Sequence, residues 1–190
     1  MAVQYTNRKR ITYYLREDNT KTGELRYFFS AKHEGHLVDS LPEGYEIYEH
    51  PYSQVFLRRI QPPIIRDDER DIVDKHIKEL NPSKRYIVDV WEKDITLFES
   101  NEDIDVLRQV FGDGPSKGLS VEDAINFTIS FTPVVRFTLE NTEKRSFIVR
   151  RYCLPGAVEE WRHIDGPDSL ENLVRKYVGC LGTDSFHALF

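Results

Sequence analysis

The 190-residue sequence lacks long apolar runs and has only two cysteines. A helix that crosses a bilayer needs roughly 18 or more consecutive apolar residues, and no stretch approaches that length, so we expect no membrane span. The N-terminal "MAVQYTNRKR" is followed by the mixed "ITYYLRED" instead of an apolar signal core, which predicts a cytoplasmic protein. Cys153 and Cys180 lie in different predicted elements, so we expect reduced thiols instead of a disulfide.

The sequence also has no excess of positive charge. The chain has 26 basic and 32 acidic residues and a net charge of -6, which argues against broad nucleic-acid binding and against binding to anionic membranes. Hydrophobic residues make up 39% of the chain and aromatic residues 12%, enough to fill a core. We therefore predict a single domain over residues 1–190, with a subdivision near residues 112–120 as the alternative.

The familiar catalytic and nucleotide-binding motifs are absent from the sequence. No Gly-x-Ser-x-Gly occurs, and neither cysteine has the local signature of a nucleophile. The stretch "GDGPSKG" at residues 112–118 lacks the Gly-Lys-Ser/Thr that leads a phosphate loop into a helix. It also follows a predicted helix instead of a strand, so it does not fit a dinucleotide fingerprint. These absences leave catalysis undecided but favour a protein that is not an enzyme.

Two of the six histidines lie in "SAKHEGHLVDS", residues 30–40. A zinc protease motif needs its histidines four apart on a helix, so that both rings reach one ion. His33 and His36 are three apart and flank Gly35, so we predict a polar loop, no metal site and no cofactor. His163 follows "EEW", but strand alternation places Trp161 and His163 on one face and Glu160 on the other. A structural or solvated role is therefore favoured for His163 over acid-base chemistry.

Alternating apolar and polar residues predict hairpins along most of the chain. The predicted strands are "RITYYLRE", "ELRYFFS", "GYEIYE", "QVFLRRI", "RYIVDVW", "DITLFES", "FTISFTPVVRFTLE", "RSFIVRRY" and "AVEEWRHI". Turn-forming residues separate each pair, and Glu92 and Lys93 form the turn of the third hairpin. Pro133 cannot donate to a ladder, so it predicts an edge or a bulge within its strand.

Three helices are predicted between these hairpins. Asp67 caps the first of them, which runs to Leu80 and is stopped by Asn81-Pro82. The second begins at Ser100 and ends at Gly112. The third has a capping pair, Asp168 and Glu171, and an apolar face formed by Leu170, Leu173, Val174, Tyr177 and Val178. Together the elements predict an α+β fold, in which antiparallel hairpins form one or two sheets packed against about three helices.

The C-terminal "TDSFHALF" carries three large apolar side chains at helical spacing. Thr183 can cap a short helix that brings Phe186, Leu189 and Phe190 together. We expect this segment to be ordered and to pack either on the domain's own core or against a partner.

Arginines provide the main candidate site. If "VVRFTLE" pairs with "RSFIVRRY" so that Phe137 faces Val149 and Leu139 faces Phe147, the apolar residues share one face and Arg136 lies opposite Arg150 on the other. Facing like charges are destabilising, so we expect a negative group between them. It is either Glu159 or Glu160 of the next strand, or an anion from a ligand or partner. The candidate ligand-binding residues are Arg136, Arg150, Arg151, Arg58 and Arg59.

The hairpin that contains Arg58 and Arg59 differs from this one. Pairing Ile47 with Val55 would put Glu46 diagonal to Arg58, so that this arginine would have a partner within its own hairpin.

The segments "TGELRYFFS", "LPEGYEIYEHPYSQVFLRR" and "LENLVRKYVGCLGTDSFHALF" resemble stretches of uncharacterised bacterial proteins of similar length. The resemblance covers both ends of the chain and implies a bacterial, cytoplasmic, self-contained protein. It implies no activity, ligand or catalytic residue.

Two classes of function follow from these observations. The first is a non-catalytic interaction or regulatory domain, with a protein partner or a second copy of the chain as its target. The alternative is an enzyme or binding module for an anionic ligand, such as a nucleotide, phosphate or nucleic acid, because basic residues adjoin aromatic ones in "KRY" and "VRRY".

Overall fold

A computed structural model describes residues 1–80, 83–112, 118–153, 160–183 and 186 of the chain. Four α-helices and three antiparallel sheets occur within these residues, which confirms the predicted α+β class. The strands are β1 (Gln4–Thr6), β2 (Thr12–Asn19), β3 (Leu25–Ser30), β4 (Tyr45–Glu49), β5 (Val55–Arg59), β6 (Tyr86–Trp91), β7 (Asp94–Ser100), β8 (Phe131–Asn141), β9 (Ser146–Cys153) and β10 (Glu160–Ser169). The helices are α1 (Asp67–Ile77), α2 (Ile104–Phe111), α3 (Val121–Thr128) and α4 (Leu170–Tyr177), and a 3₁₀ turn covers Val178–Cys180.

The chain divides into two compact units. Unit 1 comprises residues 1–62 and 107–129, and unit 2 comprises residues 63–106 and 130–190. The single domain over residues 1–190 stays a prediction, as does the alternative of a subdivision near residues 112–120. No helix among the described residues is long and apolar enough to cross a bilayer.

Unit 1 contains a three-stranded sheet in the order β1-β2-β3 and the two-stranded β4-β5 sheet. The first hairpin is as predicted, with fully buried Leu15 in its central strand. The register of β4 and β5 differs from the prediction, because Ile47 faces Leu57 instead of Val55. His50 donates to the Gln54 carbonyl at 2.8 Å and Ser53 has a φ of +62°, so the turn contains three residues and shifts the register by two positions.

Helix α3 in unit 1 is missing from the prediction, and its last two residues, Phe127 and Thr128, lie in the predicted strand "FTISFTPVVRFTLE". Ser120 caps this helix by accepting a hydrogen bond from the Asp123 amide at 3.0 Å. Arg10 donates to the Asp123 carboxylate through two nitrogens, at 2.8 and 2.6 Å. Strand β8 therefore begins only at Phe131.

The predicted start of α1 was one residue late and its predicted end was three residues late. Arg66 is the N-cap, its amide donates to the Glu69 carboxylate at 2.8 Å, and Asp67 is the first helical residue. The three acidic residues of this first turn stabilise the positive end of the helix dipole. The helix ends at Ile77, and the predicted stop at Asn81-Pro82 lies outside the described residues.

The predicted start of α2 was also wrong. Ser100 is the buried last residue of β7, and the Asp103 carboxylate instead accepts hydrogen bonds from the amides of Asp105 and Val106, at 2.9 and 3.1 Å. The predicted end is confirmed: Gly112 has a φ of +49° and its amide donates to the Arg108 carbonyl at 3.0 Å.

Unit 2 is built on a five-stranded antiparallel sheet in the order β10-β9-β8-β7-β6. Helices α1 and α4 pack against one face of it, and their buried residues join those of the sheet in one core. The bulge predicted at Pro133 is confirmed, because Leu97 faces Val135 while Phe98 faces Pro133, which leaves Val134 as the extra residue.

The predicted apolar face of α4 is confirmed, since Leu170, Leu173, Val174, Tyr177 and Val178 are all buried. Its N-cap is Ser169, which accepts from the Asn172 amide at 3.3 Å, instead of Asp168. Asp168 accepts a hydrogen bond from the Asn172 side chain.

The C-terminal segment contributes Phe186 to the core of unit 2, where its side chain is buried. Its amide donates to the Thr183 carbonyl at 3.1 Å. Leu189 and Phe190, which were predicted to pack with Phe186, lie outside the described residues. Cys153 and Cys180 are both free thiols.

Candidate functional site

Arg136 lies directly opposite Arg150 in the β8-β9 pair of unit 2. Phe137 faces Val149 and Leu139 faces Phe147, so the predicted register is confirmed. The apolar partners are fully buried or nearly so, and this burial fixes the register, since a shift by one residue would turn them to the opposite face.

The two arginines belong to a row of polar residues that crosses all five strands of the sheet. Asp89 faces Thr96, Thr96 faces Arg136, Arg136 faces Arg150, and Arg150 faces His163. We call these five residues the arginine row. The face opposite to it carries the core, with Ile95, Phe137 and Val149 in the neighbouring row.

The guanidinium of Arg136 is engaged on several sides. Its Nε donates to the Thr96 hydroxyl at 3.1 Å, and Nη1 lies 3.7 Å from a carboxylate oxygen of Asp94. Its Cζ lies 4.0 Å from the centre of the Trp161 ring. Burial lowers the pKa of Arg136, Asp94 opposes this change, and the nearby charge of Arg150 adds to it. Arg136 is therefore a partly desolvated cation that is already paired within the sheet.

Arg150 is held differently. Its Nη1 donates to the hydroxyl of Thr138 at 2.8 Å, and Thr138 is buried beneath it. Within the described part of the chain, Arg150 makes no ion pair with a carboxylate and no other hydrogen bond through its guanidinium. The threonine positions one edge of the planar group and leaves Nε and Nη2 as donors for another acceptor. Arg150 is thus the cation of the row that the described residues leave without a counterion.

The negative group that lies beside Arg136 is Asp94 on β7, which was not among the predicted groups. Glu160 pairs with Arg162 at 3.4 Å, and Glu159 lies outside the described residues. Strand alternation places Asp94 and Thr96 on one face of β7, but the predicted pairing of β8 with β9 does not include β7, the second neighbour of β8.

One oxygen of Asp94, Oδ1, is buried and accepts no hydrogen bond from the described residues. A buried acceptor without a donor costs on the order of 1–3 kcal/mol. The ion pair between Asp94 and Arg136 is therefore imperfect, with a single long contact instead of a bidentate one. The carboxylate reduces the positive charge of the row but does not satisfy both arginines.

Aromatic side chains border the arginine row. Tyr152 faces Trp161 across β9 and β10, and the ring centres are 5.3 Å apart. His163 is exposed beside Arg150 and lies on the same face as Trp161, as strand alternation predicted. The row thus combines cationic, hydroxyl and aromatic groups on one side of a sheet.

The other predicted arginines are not members of the row. Arg151 lies on the core face of the sheet, with its Cζ 5.0 Å from the Phe186 ring. Arg58 and Arg59 belong to unit 1. Arg58 faces Glu46 directly instead of diagonally, with a 2.7 Å ion pair, and Arg59 donates to the Tyr45 hydroxyl at 3.1 Å.

The histidine segment forms a loop after β3. His33 packs edge-on against Tyr14 with ring centres 4.6 Å apart, and the His36 carbonyl accepts from the Glu17 amide at 3.0 Å. No cluster of three or more histidines, cysteines or carboxylates suited to a metal ion occurs among the residues that the structure describes.

Comparison of the chain with protein-family models, curated proteins and solved structures finds no match.

Proposed function

We propose that the chain is a non-catalytic interaction domain and that it binds an anionic group of a ligand or protein partner through Arg150. The observation that carries this proposal is the position of Arg150, which lies opposite a second arginine while the described residues supply it with no carboxylate. The repulsion between two facing cations is relieved when an anion binds between or beside them. The proposed anionic group would therefore offset the repulsion between Arg136 and Arg150.

The chemistry of Arg150 favours a phosphate or a carboxylate. The guanidinium is planar and offers parallel N–H donors that match two oxygens of either group. Thr138 orients the plane, so part of the side-chain entropy that binding would cost is lost already on folding. Arg136 supports binding through its charge, since its own donors are directed at Thr96 and Asp94.

The absence of catalytic motifs supports the non-catalytic part of the proposal. The sequence resemblance supports a bacterial and cytoplasmic protein.

A nucleotide or nucleic acid is the second candidate ligand, and Trp161 and Tyr152 favour it. Both aromatic rings lie on the face of the arginine row, where a base could stack while its phosphate binds Arg150. A phosphate ligand without a base would gain no stacking contact from these rings. The two candidates therefore differ in whether a base increases affinity.

The test is calorimetric titration of the protein with inorganic phosphate, inorganic pyrophosphate and a mononucleotide. We expect binding by the parent protein and at least a tenfold loss of affinity in Arg150→Gln, about 1.4 kcal/mol. Arg162→Gln is the matched control, because Arg162 is an exposed arginine of the same sheet that faces Arg151 on the opposite side. Its affinity should equal that of the parent.

No binding of any of the three probes by the parent at concentrations up to about 10 mM would reject the proposal. Equal losses in both arginine variants would reject it as well, because they would show a general effect of net charge. Tighter binding of the mononucleotide than of pyrophosphate would favour the second candidate.

A further inference from the structure

Strand β6 forms one edge of the five-stranded sheet of unit 2. The Ser100 amide donates to the Arg85 carbonyl at 2.8 Å, and these residues continue the β6-β7 register. Because hydrogen-bonded and non-hydrogen-bonded pairs alternate along antiparallel strands, Ile87, Asp89 and Trp91 bond to β7. The backbone groups of Tyr86, Val88 and Val90 therefore point away from the sheet, where no described strand pairs with them.

The two edges of this sheet differ in how they are protected. Strand β10, at the other edge, has register shifts on both sides of Asp165 and contains Pro167, which interrupt a regular row of donors and acceptors. Strand β6 pairs in register along its whole length and contains no proline, glycine or lysine. Its residues are half-buried except for exposed Trp91. An apolar, regular edge of this kind is a template for pairing with another strand.

We propose that β6 is an interface through which two copies of this chain pair, edge to edge and antiparallel, about a two-fold axis at Val88. In this register Val88 faces Val88 of the partner subunit, and Tyr86 faces Val90 of the partner subunit. Every outward backbone group of these residues then gains a partner. The aromatic and β-branched side chains also meet as favourable cross-strand pairs.

The sequence of β6 favours a second copy over an unrelated peptide because the strand is complementary to itself. Tyr86 and Val90 are equidistant from Val88, so one rotation satisfies both ends of the strand. Their side chains pack against the core cluster, and a second sheet placed beside β6 would extend this apolar layer across the axis. Asp89 is the one charged residue of the strand and belongs to the opposite, polar face.

The proposed assembly contains two copies of the chain and does not extend further. Each chain contributes its β6 edge to the two-fold contact, and the edge that stays exposed in each copy is β10, whose irregular pairing disfavours further addition of strands. A dimer is therefore expected instead of a fibre. The interface is independent of Arg150, so its failure would not affect the proposed anion site.

Sedimentation equilibrium tests the inference on the full chain between about 1 µM and 1 mM, the range in which a small interface is expected to dissociate. We expect a mass that rises with concentration from 22.4 kDa towards twice that value. Val88→Pro removes the outward donor without removing a bond to β7, and it should shift the dissociation constant at least tenfold. Val88→Thr keeps the donor and the shape, and should dimerise like the parent.

A second measurement keeps the test valid if Val88→Pro does not fold. A synthetic peptide with the sequence of residues 85–92 should compete for β6 and return the parent to the monomer mass. The same peptide methylated on the amide nitrogen that corresponds to Val88 should not. A parent mass of 22.4 kDa across the whole range would overturn the inference, as would a folded Val88→Pro protein that dimerises like the parent.

Discussion

Arg136 lies beneath the ring of Trp161, with its Cζ 4.0 Å from the ring centre, although the two residues belong to strands separated by β9. The indole thus extends across one strand to cover the guanidinium. A cation held against a tryptophan in a partly desolvated site gains on the order of 1–2 kcal/mol from the ring. Trp161 therefore offsets part of the cost of burying Arg136.

Replacing Trp161 with leucine should therefore destabilise the protein by about 2 kcal/mol, because the cation-π contact and the packing with Tyr152 are both lost. Trp91→Leu is the matched control, since Trp91 is 46% exposed at the end of an edge strand. Urea unfolding followed by circular dichroism measures both. Equal effects of the two substitutions would contradict this role for Trp161.

Asp94 should weaken anion binding at the arginine row, because it supplies negative charge 3.7 Å from Arg136. Asp94→Asn keeps the shape of the side chain and removes that charge, so phosphate affinity should rise. The pair is long and partly exposed, and its loss should therefore cost less than about 1 kcal/mol of stability. Calorimetric titration with inorganic phosphate measures the affinity. Glu171→Gln, a substitution on the exposed side of α4, is the control, and an equal gain in both variants would refute a local effect.

The β8-β9 register could be predicted from the sequence because each strand carries two apolar residues two positions apart, Phe137 and Leu139 on β8 and Phe147 and Val149 on β9. Burial of that face leaves one pairing that keeps all the apolar residues inside. The β4-β5 register could not be obtained in this way, because Tyr48 faces Phe56 on one side of the hairpin and Ile47 faces Leu57 on the other. With apolar residues on both faces, turn geometry decides the pairing, and the turn here has three residues and ends in Ser53.

Parts of the site depend on contacts between strands that are far apart in sequence. Thr96 and Arg136 are 40 residues apart, and their contact requires knowing that β7 pairs with β8. Helix α3, by contrast, has a local signal: Ser120 is followed by acidic residues and then by Ala124 and Ile125, which are buried. The apolar and β-branched residues that follow favour a strand, so the predicted strand extends too far towards the N-terminus.

Arg145 lies in the turn between β8 and β9 and connects this turn to helix α1. Arg145 donates two hydrogen bonds to the carboxylate of Glu69 on α1, one of them 2.8 Å long, and Glu69 is only 7% exposed. Removing one partner leaves a buried charge, which typically costs 3–5 kcal/mol. We expect Arg145→Ala and Glu69→Ala each to destabilise unit 2 strongly.

The double variant distinguishes a coupled pair from two independent residues. Once both charges are removed, neither is left buried and unpaired, so the double variant should lose much less stability than the sum of the single variants. Chemical denaturation of the four proteins measures this coupling. Additive losses would contradict the assignment of Arg145 and Glu69 as an ion pair.

Acid should destabilise unit 2 through Asp165. Hydrogen bonds from the Lys176 ammonium, the Tyr177 hydroxyl and the Gly166 amide, in that order, lower the pKa of Asp165 from 3.8 to about 2. A carboxyl whose pKa is lower in the folded state stabilises the fold above its unfolded pKa, and that stabilisation is lost as the pH falls through the folded value. The contribution of Asp165 should therefore be complete above about pH 4 and decline between pH 4 and pH 2.

Asp165→Asn should reduce the slope of stability against pH in this window. Glu171→Gln, which removes an exposed carboxylate paired with Arg175 on α4, should leave most of that slope in place. Urea unfolding at a series of pH values measures these slopes, and an unchanged slope in Asp165→Asn would show that these hydrogen bonds do not stabilise the carboxylate.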